Sequence, residues 1–179
     1  DGQPLTVSQQ ITVLGAGTDP NAQMGPMVSA RHRDRVMQLI ATGSAEGGEV
    51  VAGGQPHDGP GYFVRPTIVA NSAGKDLTLV REEVFGPVLV AMPYSDLDDV
   101  LAQANNSLYG LGASVWTHSL EKAQRAIDAL DAGTVWVNTH NMVDPNMPFG
   151  GFKASGVGRE HGRSAIEAYT ETKSVCIAY

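Results

Sequence analysis

The chain has 179 residues, of which 42% are hydrophobic, and this predicts one folded domain with a substantial core rather than a disordered tail. The formal net charge of −7 would repel nucleic acid and an anionic membrane, and no apolar run approaches the ~20 residues of a membrane span. A single cysteine, Cys176, excludes an internal disulfide and, together with a start that does not resemble a secretory signal, predicts a cytoplasmic protein.

The first elements predicted are an extended connection and a helix. Residues 1–27 are rich in glycine and proline, which favours turns over regular structure. Ser29 is a suitable N-cap for a helix through "ARHRDRVMQLIATGSAEG", and Gly47 and Gly48 are suitable to end it. Three apolar residues share one face of this helix: Val36, Leu39 and Ile40.

Three short strands are predicted next. They are "EVVA" (49–52), "VRPTIVA" (64–70) and "VLVAMPY" (88–94). The third is a continuous apolar run, which is typical of a strand buried on both faces. Of the stretches between them, "QPHDGPGYF" and "REEVFGP" are interpreted as loops, and the short "NSAGKDLTLV" precedes "REEVFGP" without an assigned element.

The second half continues the alternation of helices and strands. Ser95 is predicted to cap a helix over "DLDDVLAQANNS", and "YGLGASVWT" follows as a strand. A helix over "SLEKAQRAIDALDAG" has Leu120, Ala123, Ile127 and Leu130 as its expected inner stripe. The strand "TVWVN" (134–138) is followed by a long glycine-rich loop over 139–162. A short helix near Arg163 and an alternating strand over 173–179 complete the prediction.

This order predicts an α/β fold with a parallel sheet and flanking helices. Ligands of such sheets bind at the carboxyl ends of the strands. Two conspicuous loops follow strands here, "REEVFGP" and "NTHNMVDPNMPFGGFKASGVGRE", and both are candidate site segments.

The first candidate segment contains Glu83 and Phe85. A carboxylate has two acceptor oxygens, which match the two hydroxyls of a ribose, and an aromatic ring can lie against a flat heterocycle. The alternative is that the acids are solvated and Phe85 is a core residue. The residue pattern by itself favours that alternative.

The second candidate segment, "PFGGFKASGVGRE", carries four glycines together with Phe149, Lys153, Arg159 and Glu160. Such glycines allow positive φ and close backbone approach. An ordinary loop whose charges pair with one another is the alternative, although a long segment with so many constraints favours a functional role.

Other kinds of site are not supported by the spacing of residues. "GAGTDP" and "GVGREH" lack the third glycine of a dinucleotide fingerprint, and no phosphate-loop motif is present. The five histidines show no metal-ligand spacing, so no metal site is predicted and most are interpreted as surface or capping residues. Cys176 is interpreted as a structural thiol.

Together, "EEVFGPV" and "PFGGFKASGVGRE" resemble the C-terminal part of the aldehyde dehydrogenase superfamily, the NAD(P)-dependent enzymes that oxidise aldehydes to acids. The resemblance extends to "GTDPNAQMGPMVSARHRDRV", "GYFVRPTIV", "NNSLYGLGASVWT", "AGTVWVN" and "AYTETKSV". It implies that residues 1–162 are a portion of the catalytic domain and that 163–179 are a terminal helix and an oligomerisation strand. The implied assembly is a homo-oligomer, a dimer or a tetramer, paired through 173–179.

The resemblance also implies roles for single residues. Glu83 would hydrogen-bond the nicotinamide ribose, and Phe85 would pack beside that ribose and the ring. Phe149 would line the aldehyde pocket, and Glu160 would hold a water or pass a proton behind the catalytic centre. Asn138 and Lys153 match positions of architectural character.

Several functional parts of the family have no counterpart in these residues: the nucleophilic cysteine, the general-base glutamate, the oxyanion asparagine and the dinucleotide-binding domain. The implied activity of the full-length enzyme is oxidation of a small-molecule aldehyde through a cysteine thiohemiacetal, with NAD or NADP as cofactor, and the chain alone is expected to be inactive. Met142, Val143 and Met147 give "THNMVDPNMPF" an apolar character that faintly resembles aromatic aldehyde dehydrogenases of the phenylacetaldehyde type. The alternatives are a non-catalytic subunit-association module and a phosphate-binding domain that uses the glycines of 150–159.

Overall fold

The computed structural model describes residues 13–57 and 59–179, and the chain falls into two units, Asp1–Pro93 and Tyr94–Tyr179. Part of the predicted extended connection, residues 1–12, lies outside the described residues. Each unit is described by itself.

The first unit begins its regular structure with helix α1, Ala30–Ala45. As predicted, Ser29 is the N-cap, since its side chain accepts a hydrogen bond from the amide of His32 at 3.2 Å. The chain leaves α1 through Gly47, whose φ of 101° is costly for any residue with a side chain. Val36 and Ile40 of the predicted face are buried.

Three strands and a second helix complete this unit: β1 (Glu49–Ala52), β2 (Thr67–Ala70), α2 (Thr78–Arg81) and β3 (Val88–Ala91). The sheet order is β1-β2-β3, with β1 antiparallel to β2 and β2 parallel to β3. The core contains these apolar residues: Val36, Ile40, Val64, Val69, Leu77, Leu79 and Val84.

One helix of this unit was missed and one prediction was wrong. No element was predicted for "NSAGKDLTLV", and its last three residues begin α2. This short helix is stabilised from outside: the carboxylate of Glu46 accepts hydrogen bonds from the Thr78 amide and hydroxyl, both at 2.6 Å. Strand β3 is not buried on both faces, since Leu89 is 57% exposed.

The second unit contains α3 (Leu97–Asn105), β4 (Tyr109–Gly110), β5 (Gly112–Val115), α4 (Leu120–Ala129), β6 (Thr134–Val137), β7 (Phe152–Lys153) and α5 (Gly162–Ala168). Strands β5 and β6 are parallel and are connected through α4, whereas β4 and β7 form an antiparallel pair. The fold is therefore α/β as predicted, but its sheets are mixed rather than wholly parallel.

The predicted caps and stripes of this unit need two corrections. Asp96, not Ser95, caps α3, because its carboxylate accepts from the Asp99 amide at 3.0 Å. Helix α4 turns Ala123 and Ala126 inward, and Leu120 is 83% exposed. Ala123 of the predicted stripe is therefore confirmed as an inward residue, whereas two of its four members, Leu120 and Ile127, are exposed.

Residues 171–179 are exposed and belong to no helix or strand of this single chain. The strand predicted for 173–179 is not formed within these residues, and it stays a prediction. Across residues 13–57 and 59–179, no helix combines the length and the apolar composition needed to cross a bilayer.

Candidate functional site

The segment with Glu83 and Phe85 is tied to α1 through its own backbone. The Arg35 guanidinium donates to the carbonyl oxygens of Glu83, at 3.2 Å, and Val84, at 3.0 Å. His32 Nε2 donates to the carbonyl oxygen of Phe85 at 2.7 Å. Three consecutive carbonyl groups are thus satisfied by two side chains of one helix, which fixes the course of the segment.

The residue after Phe85, Gly86, packs closely against α1 and restrains the segment further. A Cβ atom on Gly86 would lie 2.8 Å from both methyl groups of Val36, which is fully buried. Only a glycine fits against α1 at this point.

Phe85 itself is presented outward in a strained conformation. Its φ is 53°, a left-handed value that is rare and costly for a bulky residue, and its side chain is 71% exposed. The core alternative for Phe85 is therefore wrong. The half-buried Glu83 makes no side-chain hydrogen bond or ion pair with any residue that the structure describes. The segment offers a carboxylate and an aromatic ring that the described chain does not use.

In the second unit, Phe149 and Glu160 are brought together across the glycine-rich segment. The Phe149 amide donates to the Glu160 carbonyl at 2.7 Å, and the Glu160 amide donates to the Phe149 carbonyl at 2.8 Å. Phe149 is half-buried and Glu160 is exposed. This reciprocal pair closes residues 150–159 into a loop with a defined base.

Gly150 and Gly151 are required by packing. A Cβ atom on Gly150 would lie 2.7 Å from the carbonyl oxygen of Gly158, and one on Gly151 would lie 2.4 Å from Cβ of Ser155. Neither approach leaves room for a side chain.

The basic residues of the segment serve the structure. Lys153 Nζ donates to the carbonyl of Asn105 at 2.7 Å and lies 3.3 Å from the carboxylate of Asp131. Arg159 donates to the carbonyls of Gly151 and Gly158. The charges of the segment do not pair with one another, as the alternative of an ordinary loop required: the partners of Lys153 and Arg159 are Asp131 and backbone carbonyls, and the carboxylate of Glu160 makes no hydrogen bond or ion pair within the described chain. Because Arg159 is engaged by carbonyl groups, the phosphate-binding alternative is weakened.

A cleft of about 530 Å³ opens beside this segment, and both Phe149 and Glu160 line it. The other lining residues include Leu111, Gly151, Val157 and Tyr169. The volume lies within the range of small-molecule sites, and the lining combines apolar side chains with one free carboxylate. In residues 13–57 and 59–179, no three His, Cys, Asp or Glu side chains cluster as metal ligands would.

Three histidines make specific contacts that the interpretation as surface or capping residues missed. His32 fixes Phe85, and His140 forms a hydrogen bond with Ser114. His161 has a φ of 62°, its ring centroid lies 6.3 Å from that of Phe149, and its buried Nδ1 makes no hydrogen bond in the described part of the chain. The only sequence signal for His161 was its position next to Glu160. Arg35 carried no signal, since its partners are backbone groups.

Glu83 and Phe85 belong to the first unit, and Phe149 and Glu160 belong to the second.

Asn138, predicted to be architectural, exchanges two hydrogen bonds with the backbone of Thr117 at 2.8 and 2.9 Å. Such a bidentate contact ties the end of β6 to the end of β5.

Comparison with known proteins gives a consistent result over nearly the whole chain. The sequence model of the aldehyde dehydrogenase family matches residues 5–175. A phenylacetaldehyde dehydrogenase of Pseudomonas fluorescens is 55% identical over 178 residues, which are 99% of this chain and 36% of that protein. A putative aldehyde dehydrogenase of Bacillus subtilis is 47% identical, with 91% of this chain and 33% of that protein covered.

Solved structures agree with the sequence relatives. An NAD+ complex of an aldehyde dehydrogenase from Bacillus cereus matches with a TM-score of 0.87 and 45% identity, covering 92% of this chain and 33% of that one. A Mycobacterium tuberculosis aldehyde dehydrogenase in complex with NAD+ matches with a TM-score of 0.86 and 40% identity, covering 94% and 35%. The chain spans about a third of the length of the relatives it matches.

Proposed function

The chain belongs to the aldehyde dehydrogenase family, and from this premise we propose that it is the C-terminal part of an NAD(P)-dependent enzyme that oxidises an aldehyde to a carboxylic acid. The observation that carries the proposal is the segment at Glu83 and Phe85. It holds an unpartnered carboxylate and an exposed ring in a fixed, strained conformation. Strain of this kind is retained where a ligand uses it.

The residues of this segment fit a nicotinamide dinucleotide, which supplies the hydride acceptor when bound. The two oxygens of Glu83 accept hydrogen bonds from the ribose hydroxyls, and Phe85 covers a flat ring and excludes water from one side of it. Arg35 and His32 keep both side chains in place by holding the backbone. These contacts involve only the nicotinamide half, so the proposal covers both NAD and NADP.

On the aldehyde side, Phe149 forms an apolar wall of the cleft and Glu160 places a carboxylate at its edge. Glu160 holds a water molecule or accepts a proton as the acid is released. The nucleophilic thiol comes from a part of the enzyme outside these residues, because the only cysteine, Cys176, lies in the exposed tail. A small-molecule aldehyde with an apolar or aromatic group is the proposed substrate class, in line with the 55% identical phenylacetaldehyde dehydrogenase.

The test is to place this chain in the P. fluorescens phenylacetaldehyde dehydrogenase in exchange for the segment that it matches. We expect the chimera to reduce NAD or NADP in the presence of aldehyde, and the 179-residue chain alone to give no reduction above background. A folded chimera without activity, or a chain that is active by itself, contradicts the proposal.

A second candidate function, a non-catalytic subunit-association module, is favoured by the tail. Val175 and Ile177 are exposed and alternate with smaller residues, as in a strand that pairs with another chain. On this view the strand over 173–179 pairs the chain with a second copy of itself or with a full-length partner. The division into a catalytic-domain portion, residues 1–162, and a terminal helix with the strand of a homodimer or homotetramer, residues 163–179, belongs to the first proposal. Size-exclusion chromatography of the chain and of a version ending at residue 172 tests it: we expect only the longer form to associate, and a strict monomer at high concentration contradicts it.

A further inference from the structure

His161, the residue after Glu160, has a backbone conformation that only glycine adopts easily. Its φ is 62° and its ψ is 167°, a combination that crowds the Cβ atom of every other residue. A glycine at this position would be free of the strain, so the histidine side chain makes the folded chain less stable than it could be. Strain of this kind is found where a side chain has a use, which makes the His161 ring a candidate for a functional role.

Backbone hydrogen bonds on both sides of His161 hold it in this conformation. On one side, the Glu160 amide donates to the Phe149 carbonyl at 2.8 Å, within the reciprocal pair described above. On the other side, the Gly162 amide donates to the carbonyl of Pro145 at 2.9 Å. Because both neighbours are tied, His161 cannot relax its backbone without breaking one of these bonds.

The His161 ring is placed against Phe149. The two ring centroids lie 6.3 Å apart with an interplanar angle of 33°, which is within the range of aromatic pairs. Nδ1 of His161 is buried and makes no hydrogen bond in the described part of the chain, which is a second cost to folding. Phe149 lines the cleft, whereas His161 is not one of the described residues that do. His161 therefore acts on the cleft through the Phe149 ring.

We infer that His161 is a positioning residue that fixes the Phe149 ring and thereby sets how well the cleft accepts an aldehyde with an aryl group. The inference rests on the proposed function, in which Phe149 faces the aldehyde. The strain and the unpaired nitrogen both cost stability, and what they secure among the described residues is the ring contact with Phe149. A ring that is fixed before the substrate arrives loses little conformational freedom on binding, so its contact with an aryl group contributes more fully to affinity. A two-carbon aldehyde has little surface to place against that ring.

The experiment compares phenylacetaldehyde with acetaldehyde in the chimera described above. His161→Gly removes the ring and the strain together, so this variant should fold. We expect it to lower the ratio of the two kcat/KM values about two- to tenfold, through a higher KM for phenylacetaldehyde at an unchanged kcat. His161→Phe keeps a ring at this position and should retain most of the ratio. A purely structural role would change the kinetics of both aldehydes alike and leave the ratio as it is.

The matched control is His118→Gly, at an exposed position, which leaves the ratio unchanged. An unchanged ratio in His161→Gly overturns the inference. An equal loss in a folded His161→Phe variant also overturns it, since the ring would then not be the part of the histidine that matters. If His161→Phe does not fold, the comparison of His161→Gly with His118→Gly decides.

A measurement on the chain itself separates this inference from the proposed function. The chain has four phenylalanines, so labelling with para-fluorophenylalanine gives four fluorine NMR signals, and Phe149→Leu identifies the signal of residue 149. We expect His161→Gly to move this signal toward its position in the unfolded chain, and His118→Gly to leave it in place. If the parent chimera oxidises no aldehyde, the proposed function fails. A Phe149 signal that His161→Gly does not move overturns the positioning role, whatever the chimera does.

Discussion

Gly133 and Gly150 approach each other so closely that a Cβ atom on Gly133 would lie 1.6 Å from the carbonyl oxygen of Gly150. The contact joins the start of β6 to the loop that carries Phe149. Since the clashing atom belongs to the backbone, no side chain can move aside to relieve it. The position of the loop that carries Phe149 therefore depends on residue 133 being a glycine.

Gly133→Ala should destabilise the chain by about 2 kcal/mol or more, because the backbone of β6 or of the loop must shift. The free energy of unfolding, measured by urea denaturation, checks this. Gly17→Ala is the matched control: a Cβ atom on Gly17 would have no neighbouring atom within 4 Å, and a change within about 0.5 kcal/mol is expected. Equal effects of the two substitutions would contradict the steric argument.

Phe85→Gly should distinguish the effect of Phe85 on folding stability from its effect on dinucleotide binding. Glycine adopts the φ of 53° without steric cost, and the ring that is removed packs little in this chain. We expect Phe85→Gly to be more stable than Phe85→Ala by about 1 kcal/mol, since alanine keeps the strain. Both variants of the chimera should bind the dinucleotide more weakly than the parent. Equal stability of the two variants in urea, or unchanged dinucleotide affinity by fluorescence titration, contradicts this expectation.

Glu83→Gln in the chimera should raise the KM for NAD or NADP by about tenfold, because a neutral amide replaces a charged acceptor of ribose hydroxyl groups. The neighbouring Glu82 is exposed and provides the control. Glu82→Gln should leave this KM within about twofold. Steady-state kinetics at varied cofactor concentration distinguish the two variants, and similar KM values for both would contradict the proposed role of Glu83 in cofactor binding.

Arg35→Met should loosen the segment that carries Glu83 and Phe85, because the carbonyls of Glu83 and Val84 lose a charged donor. The expected cost is about 1 to 2 kcal/mol of stability together with weaker dinucleotide binding. Arg35→Lys keeps the charge but not the forked geometry and should fall between the parent and Arg35→Met. Wild-type dinucleotide affinity in Arg35→Met would show that the segment holds its shape without α1.

The Glu46 carboxylate should make stability depend on pH. The Thr78 hydroxyl, and then the Thr78 amide, lower the pKa of Glu46 below its ordinary value of 4.5. A carboxyl group with a lowered folded-state pKa stabilises the fold above the unfolded-state pKa, and this contribution is lost as the pH falls through the folded-state pKa. Glu46→Gln should therefore be less stable than the parent at pH 7, and the difference should shrink in acid.

Thr78→Val removes the hydroxyl donor and should reduce the same pH dependence without touching the carboxylate. Urea denaturation at a series of pH values between about 3 and 7 covers the transition. A stability difference between parent and Glu46→Gln that stays constant across this range would contradict the assignment.

Local sequence signals were sufficient for most elements of the fold. The cap at Ser29, the apolar face of α1 and the parallel pair of β5 and β6 on either side of α4 follow from short-range patterns that the structure confirms. Helix α2 could not be found in this way, because it is four residues long and its capping carboxylate lies 32 positions earlier. Tertiary contacts of this kind leave no local pattern.

The candidate site was predictable in its residues but not in its conformation. The glycines and aromatic residues of both segments mark them as special, and the family resemblance supplies their roles. That Phe85 is exposed at positive φ is not visible in the sequence, since it is held there by contacts of Arg35 and His32 with backbone groups and by the packing of Gly86 on Val36. Backbone acceptors are the same for every residue type, so the donors that they select carry no sequence signature.

The bond between Glu46 and Thr78 also determines an order of folding events. A helix of one turn does not nucleate by itself in water, so α2 forms only when the end of α1 has already docked against it. The segment with Glu83 and Phe85 leaves α2 directly and takes its shape from the same helix. The conformation of this segment, which carries the proposed nicotinamide contacts, therefore forms only after α1 and α2 have docked.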